Sequence, residues 1–72
     1  MTWHASHSTA ALRLDLAAAL QSLPAHYCAI VLLRDVEERT IDEIGAELGL
    51  TREAVKVRLH RARVLLREYL SA

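Results

Sequence analysis

The chain has 72 residues, enough for one small domain and too few for an elaborate enzyme. Its residues are 53% hydrophobic but only 4% aromatic, with no Phe, two Gly and one Pro, which favours a bundle of helices over a β-sheet or a disordered tail. The formal net charge is zero, but this total hides an uneven distribution of charge along the chain. The single cysteine, Cys28, cannot form an internal disulfide, and neither a signal peptide nor an apolar run of about 20 residues is visible. These features predict a cytoplasmic protein.

The first two predicted helices follow a polar, aperiodic start. Residues 1–8 are interpreted as a flexible N-terminal segment or an artificial remnant, and residues 9–72 as one domain. Leucines at helical spacing predict the first helix over about residues 9–22. Pro24 ends that helix and is expected at the first position of a second helix, over about residues 24–37. The second helix is apolar nearly all round, so we expect it to be the most buried element.

A helix-turn-helix is predicted in the second half of the chain. A Thr-x-x-Glu capping box at Thr40 begins a short helix over about residues 41–48, and Gly49 supplies the permissive backbone that ends it. Thr51 is the N-cap of a long last helix over about residues 52–70. The predicted fold class is therefore all-α, a four-helix domain whose last two helices form the helix-turn-helix.

Several residues are predicted to form the core of this motif. Gly45 lies where we expect a side chain to collide with the crossing helix, and the apolar members are expected to pack between the two helices. The predicted core comprises Ile44, Gly45, Leu48, Gly49, Leu50, Val55 and Leu59.

Charge is segregated along the chain. Residues 34–50, the acidic tract, carry six acidic and two basic side chains, whereas residues 51–72, the basic segment, carry six basic and two acidic ones. At about 100° per residue, the last helix has a buried stripe from Val55 to Tyr69 and a cationic flank beside it. Such a flank can neutralise phosphates and reach base edges in a major groove about 12 Å wide. It can equally be a solvated face, a membrane-surface helix or a helix that docks in a peptide groove.

No catalytic or metal-binding constellation is apparent. His26 and Cys28 point about 200° apart on a helix and cannot share a metal ion, so Cys28 is interpreted as a buried small hydrophobe. The sequence contains neither a glycine-rich phosphate loop nor a recognisable nucleophile turn. We predict no enzyme activity, no cofactor and no metal.

Four strings of residues carry a family resemblance. They are Leu-Pro-x-x-Tyr at 23–27, Val-Leu-Leu-Arg-Asp-Val-Glu at 31–37, Thr-Ile-Asp-Glu-Ile-Gly-x-x-Leu-Gly-Leu-Thr at 40–51, and Val-Lys-x-Arg-Leu-His-Arg-Ala-Arg at 55–63. Together they resemble region 4 of bacterial RNA polymerase sigma factors, and most of all the extracytoplasmic-function (ECF) group. The resemblance covers about residues 10–70.

The resemblance implies a role in transcription initiation. It implies a domain whose last helix reads the promoter −35 element in the major groove, which docks on the β flap of RNA polymerase core and which an anti-sigma factor often occludes. The positions that it implies to face DNA bases are Lys56, Val57, His60 and Arg61. The positions that it implies to face the DNA backbone are Thr51, Arg52, Arg58 and Arg63.

The sequence also departs from the family pattern. Val57 stands where the family usually has Ser, Glu53-Ala54 where it has Gly-Thr, and Cys28 where Arg is common. The first two departures bear on which −35 sequence is preferred. The promoter-melting region 2 of the family has no counterpart in these residues, so we expect that the chain alone does not open a promoter.

Two alternatives from other classes remain open at this point. The first is a free-standing helix-turn-helix regulator of the LuxR type, which binds DNA as a dimer. The second is a protein-interaction module bound by an anti-sigma factor, with the second helix and the acidic stretch Asp35–Glu47 as its surface. Exposure of Leu32 or Leu33 favours the second alternative.

Overall fold

The computed structural model describes residues 15–71, and the chain is helical over most of this range. Helix α1 covers residues 15–22 of that range, α2 is Ala25–Val31, α3 is Ile41–Leu48 and α4 is Arg52–Ser71, with a π-helical turn at Leu32–Val36. No strand lies between residues 15 and 71, so the predicted all-α class is confirmed. The predicted flexible segment 1–8 and the predicted start of the first helix lie outside the described residues.

The second helix begins one residue later than predicted. Pro24 is its N-cap rather than its first helical residue, because its ψ of 146° keeps it extended where the chain bends away from α1. The carbonyl oxygen of Pro24 still serves the helix, since it accepts hydrogen bonds from the backbone N–H groups of Tyr27 and Cys28. Cys28 is half-buried against the core, less covered than predicted.

The end of the second helix also differs from the prediction. After Val31 the helix widens into the π-helical turn, in which the N–H of Glu37 donates to the carbonyl of Leu32 at 3.0 Å. Glu38 then adopts a left-handed conformation with φ 55°, which is costly for a residue with a side chain. The chain leaves this turn with the Arg34 guanidinium bound to the carbonyl of Arg39 at 2.7 Å.

The π-helical turn divides the apolar residues of this segment between the core and the surface. Leu33 is buried, whereas Leu32 is 37% exposed and Val36 is 68% exposed. The second helix is therefore not buried on all sides, because the five-residue hydrogen-bond spacing turns Leu32 and Val36 outward.

One hydrophobic core lies where α2 and α3 both pack against α4. None of its described members is polar or charged, and full burial of each aliphatic side chain contributes on the order of 1.5–3 kcal/mol. The stripe on α4 ends earlier than predicted, since Tyr69 is 47% exposed in the last turns of the helix, beyond Leu66. The core residues are Ala19, Leu23, Ile30, Val31, Leu33, Ile44, Val55, Leu59, Ala62 and Leu66.

Candidate nucleic-acid interface

The start of α3 is fixed by the predicted capping box. The N–H of Glu43 donates to the Thr40 hydroxyl oxygen at 3.1 Å, and the N–H of Thr40 donates to the Glu43 carboxylate at 2.8 Å. Both bonds are present, so the capping-box prediction is confirmed. The hydrogen bonds from Thr40, first its backbone N–H and then its side chain, hold the pKa of Glu43 below its usual value.

The turn between α3 and α4 is built from backbone hydrogen bonds. Gly49 is left-handed, with φ 69° and ψ 38°, and the N–H groups of Gly49 and Leu50 both donate to the carbonyl of Gly45. A β-carbon at Gly45 would lie 2.7 Å from the carbonyl oxygen of Leu50 and 3.7 Å from Val55. The predicted collision with the crossing helix is therefore wrong, because the obstacle is the backbone of the turn itself.

The first turn of α4 is held by a side-chain cap. The Thr51 hydroxyl oxygen accepts from the N–H of Ala54 at 3.1 Å, which makes Thr51 the predicted cap of this helix. Val55 and Leu59 are buried and fix the rotation of α4 about its axis.

The remaining members of the predicted motif core divide by burial. Ile44 and Gly45 are buried, and Leu50 packs partly buried against the core. Gly49 is exposed in the turn, and Leu48 is 38% exposed. Leu48 differs from the prediction because it is the last residue of α3, where the chain turns away and no further helical turn covers it.

The residues expected to face bases share the outer side of α4. All four are exposed, and the buried stripe occupies the opposite side of the helix. His60 and Arg61 also line an open depression of about 430 Å³, whose other walls are Tyr27, Val64 and Leu65. The structure therefore places Lys56, Val57, His60 and Arg61 on one accessible surface.

The residues expected to face the DNA backbone have different surroundings. Thr51, Arg52 and Arg63 are exposed, whereas Arg58 is partly buried. The guanidinium of Arg52 lies 2.8 Å from the Asp42 carboxylate.

The guanidinium of Arg63 likewise lies 2.8 Å from the Asp35 carboxylate. Sequence reasoning missed these two ion pairs, because their members are separated by 10 and 28 residues and meet only where separate elements pack together.

The described part of the chain holds neither a candidate metal cluster nor a membrane-spanning helix. Over residues 15–71, no group of three or more His, Cys, Asp or Glu side chains is arranged to hold a metal ion. Over the same residues, no helix is both long and apolar enough to cross a membrane.

A capped short helix, a left-handed glycine turn and a long basic helix define a helix-turn-helix domain. The family model described as "Sigma-70, region 4" matches residues 13–66, and the chain belongs to this family. The resemblance to region 4 of an ECF sigma factor is thereby confirmed, which favours a sigma-factor DNA-binding domain over a LuxR-type regulator.

A curated relative supports the same family. The chain is 49% identical over 57 residues, or 79% of its length, to a protein named ECF RNA polymerase sigma factor SigE from Mycolicibacterium smegmatis. The match spans only 22% of that relative, so the chain corresponds to about a fifth of its length. No solved structure matches the chain significantly.

Proposed function

We propose that the chain reads the −35 element of a promoter as the C-terminal domain of an ECF-type sigma factor. The observation that carries this proposal is the outer side of α4, where Lys56, His60 and Arg61 are exposed opposite the buried stripe. Promoter DNA and RNA polymerase core, docked through its β flap, are the partners. A cytoplasmic location follows from these partners, and residues 9–72 act as one domain.

The base-reading contacts follow from the chemistry of these side chains. Lys56 and Arg61 donate hydrogen bonds to the acceptors of guanine, which are the commonest specific contacts in the major groove. Val57 is exposed among them and offers an apolar contact to the methyl group of thymine. Glu53 is exposed in the first turn of α4 and repels phosphate, which limits how the DNA backbone can be placed beside this turn.

Contacts to phosphate orient the domain on the duplex. The oxygen of the Thr51 hydroxyl already accepts the N–H of Ala54, which leaves its O–H free to donate to a phosphate oxygen beside the N-terminus of α4. Arg52, Arg58 and Arg63 supply positive charge along the same helix. Affinity therefore depends strongly on salt, because each neutralised phosphate releases counterions.

A second role, in docking to a protein, is supported by the exposed apolar residues of the π-helical turn. Leu32 and Val36 are exposed beside the acidic side chains of Asp35 and Glu37. An apolar patch with an acidic edge suits a partner surface of apolar and basic side chains. We propose this patch as the contact for RNA polymerase core or an anti-sigma factor.

Fluorescence anisotropy on short duplexes tests the DNA-reading function. One duplex carries a −35-like GGAAC core and the other a scrambled core, each at several salt concentrations. We expect tighter binding to the first duplex and strong salt dependence on both. If the chain binds both duplexes equally, its preferred sequence is to be identified by selection from random duplexes. Absence of binding at low salt refutes DNA reading and leaves the docking role.

Two substitutions separate base reading from backbone contact. We expect Arg61→Ala to lose about 1–3 kcal/mol on the preferred duplex and to relax specificity. If Arg63 contacts phosphate in every complex, Arg63→Ala weakens binding to all duplexes alike and flattens the salt dependence. An equal loss on all sequences for Arg61→Ala contradicts a base-reading role.

A further inference from the structure

Two arginines on the proposed DNA-binding helix are already bound to carboxylates. Arg52, at the start of α4, pairs with Asp42 of α3, and Arg63, in the middle of α4, pairs with Asp35 of the π-helical turn, each at 2.8 Å. All four side chains are about half exposed or more, so the pairs are open to competing anions.

The pairing is selective among the cations of α4. Both paired arginines belong to the set expected to contact the DNA backbone. Within residues 15–71, none of the ion pairs involves the base-facing residues Lys56, His60 or Arg61. The carboxylates therefore occupy contacts that supply affinity for any duplex, and they leave the contacts that read sequence unoccupied.

We propose that Asp35 and Asp42 are internal competitors of DNA that hold Arg63 and Arg52 away from DNA phosphates until α4 is seated on its preferred sequence. This inference rests on the proposed DNA-reading function. A carboxylate offers a guanidinium the same kind of oxygen acceptors as a phosphate, so each aspartate is an internal substitute for one phosphate contact. In a loosely seated complex the arginines remain paired, and in the seated complex phosphate oxygens replace the carboxylates.

The positions of the two pairs link their release to the seating of the helix. Arg52 and Arg63 are eleven residues apart, which places them about 20° apart around the helix axis and roughly 16 Å apart along it. They therefore lie on the same side of α4, with Lys56 and His60 between them. A helix seated in the major groove, about 12 Å wide, with this side toward one strand brings both arginines to the backbone together.

The salt dependence of binding gives this proposal a quantitative form. Each phosphate contact contributes about −0.9 to the slope of log affinity against log salt. The wild-type chain is expected to show a slope up to about 1.8 shallower on a scrambled duplex than on its preferred duplex, because two contacts stay internal.

The test compares two double variants of equal charge. Asp35→Asn with Asp42→Asn removes both carboxylates that pair with α4. Glu37→Gln with Glu47→Gln is the matched control, because these acidic side chains pair with Arg39, outside α4, at 3.6 and 3.4 Å. Each double variant raises the net charge by two, and both are measured by anisotropy on the preferred and scrambled duplexes after circular dichroism has shown that they fold.

We expect the aspartate variant to bind the scrambled duplex more tightly by roughly two- to fivefold per site, with a gain at least as large on the preferred duplex, because the wild-type chain has to break both ion pairs to bind that duplex. Its salt slope on the scrambled duplex is expected to approach the slope on the preferred one. Equal gains for the control variant, or no gain on the scrambled duplex, overturn the inference while the proposed function stands. A wild-type chain that prefers no duplex overturns both. The single variants Asp35→Asn and Asp42→Asn keep the test valid if the double variant does not fold.

Discussion

The Gly45→Ala substitution adds one methyl group where the turn before α4 closes over α3. Its β-carbon would lie 2.7 Å from the carbonyl oxygen of Leu50, and contacts under 3.0 Å essentially never occur, so the turn must move by at least 0.3 Å. Helix propensity alone favours alanine over glycine by about 1 kcal/mol. Forced repacking of a filled site typically costs about 1–3 kcal/mol. We expect a net loss of up to about 2 kcal/mol, because the obstacle is backbone that hydrogen-bonds to Gly45 itself.

Urea unfolding followed by far-ultraviolet circular dichroism measures this loss. In a domain of this size, each kcal/mol corresponds to about 4–8 °C in Tm, so thermal unfolding gives an independent reading. Gly49 provides the matched control, because no atom lies within 4 Å of a β-carbon placed there and only its φ of 69° disfavours a side chain. We expect Gly49→Ala to cost about 1 kcal/mol and Gly49→Asn to cost less, since asparagine tolerates the left-handed region.

The two glycines thus respond differently to asparagine. At Gly45 an asparagine keeps the clash with the Leu50 carbonyl, so it is expected to be no better than alanine. An increase in stability of about 1 kcal/mol for Gly45→Ala refutes the reasoning, because helix propensity would then act unopposed by the turn.

Two further predictions concern the segments on either side of α3. Thr40→Ala is expected to cost about 1 kcal/mol in urea unfolding at neutral pH. The folded-state pKa of Glu43 is lowered, so its contribution to stability is complete above its unfolded pKa of about 4.3 and is lost as pH falls through the folded pKa. Glu43→Gln keeps the capping box and is expected to flatten the decline in unfolding free energy below about pH 4, and an unchanged decline contradicts this assignment. Glu38 has φ 55°, a conformation that glycine adopts easily and valine does not. In thermal unfolding, Glu38→Gly is therefore expected to be at least as stable as wild type, and Glu38→Val less stable by about 1 kcal/mol or more. Glu37→Val is the control, because Glu37 has φ −87°. A Glu38→Val variant as stable as this control is evidence against the left-handed turn.

Local hydrogen bonding explains which elements the sequence predicts well. The capping box at Thr40 and the glycine at Gly49 bound α3 as predicted, because both devices act through bonds within a few residues. The π-helical turn has no such signal, since Glu38 takes a left-handed conformation without being Gly or Asn. Its geometry depends on Leu33 reaching the core, a tertiary contact that no local pattern contains.

The candidate site likewise has features that the sequence predicts and features that depend on how separate elements pack. Helical periodicity places Lys56 and His60 away from the buried stripe, and the structure places them on the exposed side of α4. Their roles toward DNA come from the family resemblance and remain a prediction. The ion pair between Asp35 and Arg63 depends on how the π-helical turn packs beside α4, so neither residue reveals it alone.

The burial pattern of α4 separates folding from recognition. Val55, Leu59, Ala62 and Leu66 carry the packing, and Lys56, Val57, His60 and Arg61 on the opposite side of the helix are exposed. Substitutions of exposed residues usually change the free energy of unfolding by less than about 0.5 kcal/mol. The outer residues of α4 can therefore be randomised in a library with few unfolded members, and new duplex preferences can be selected on a scaffold whose stability stays almost constant.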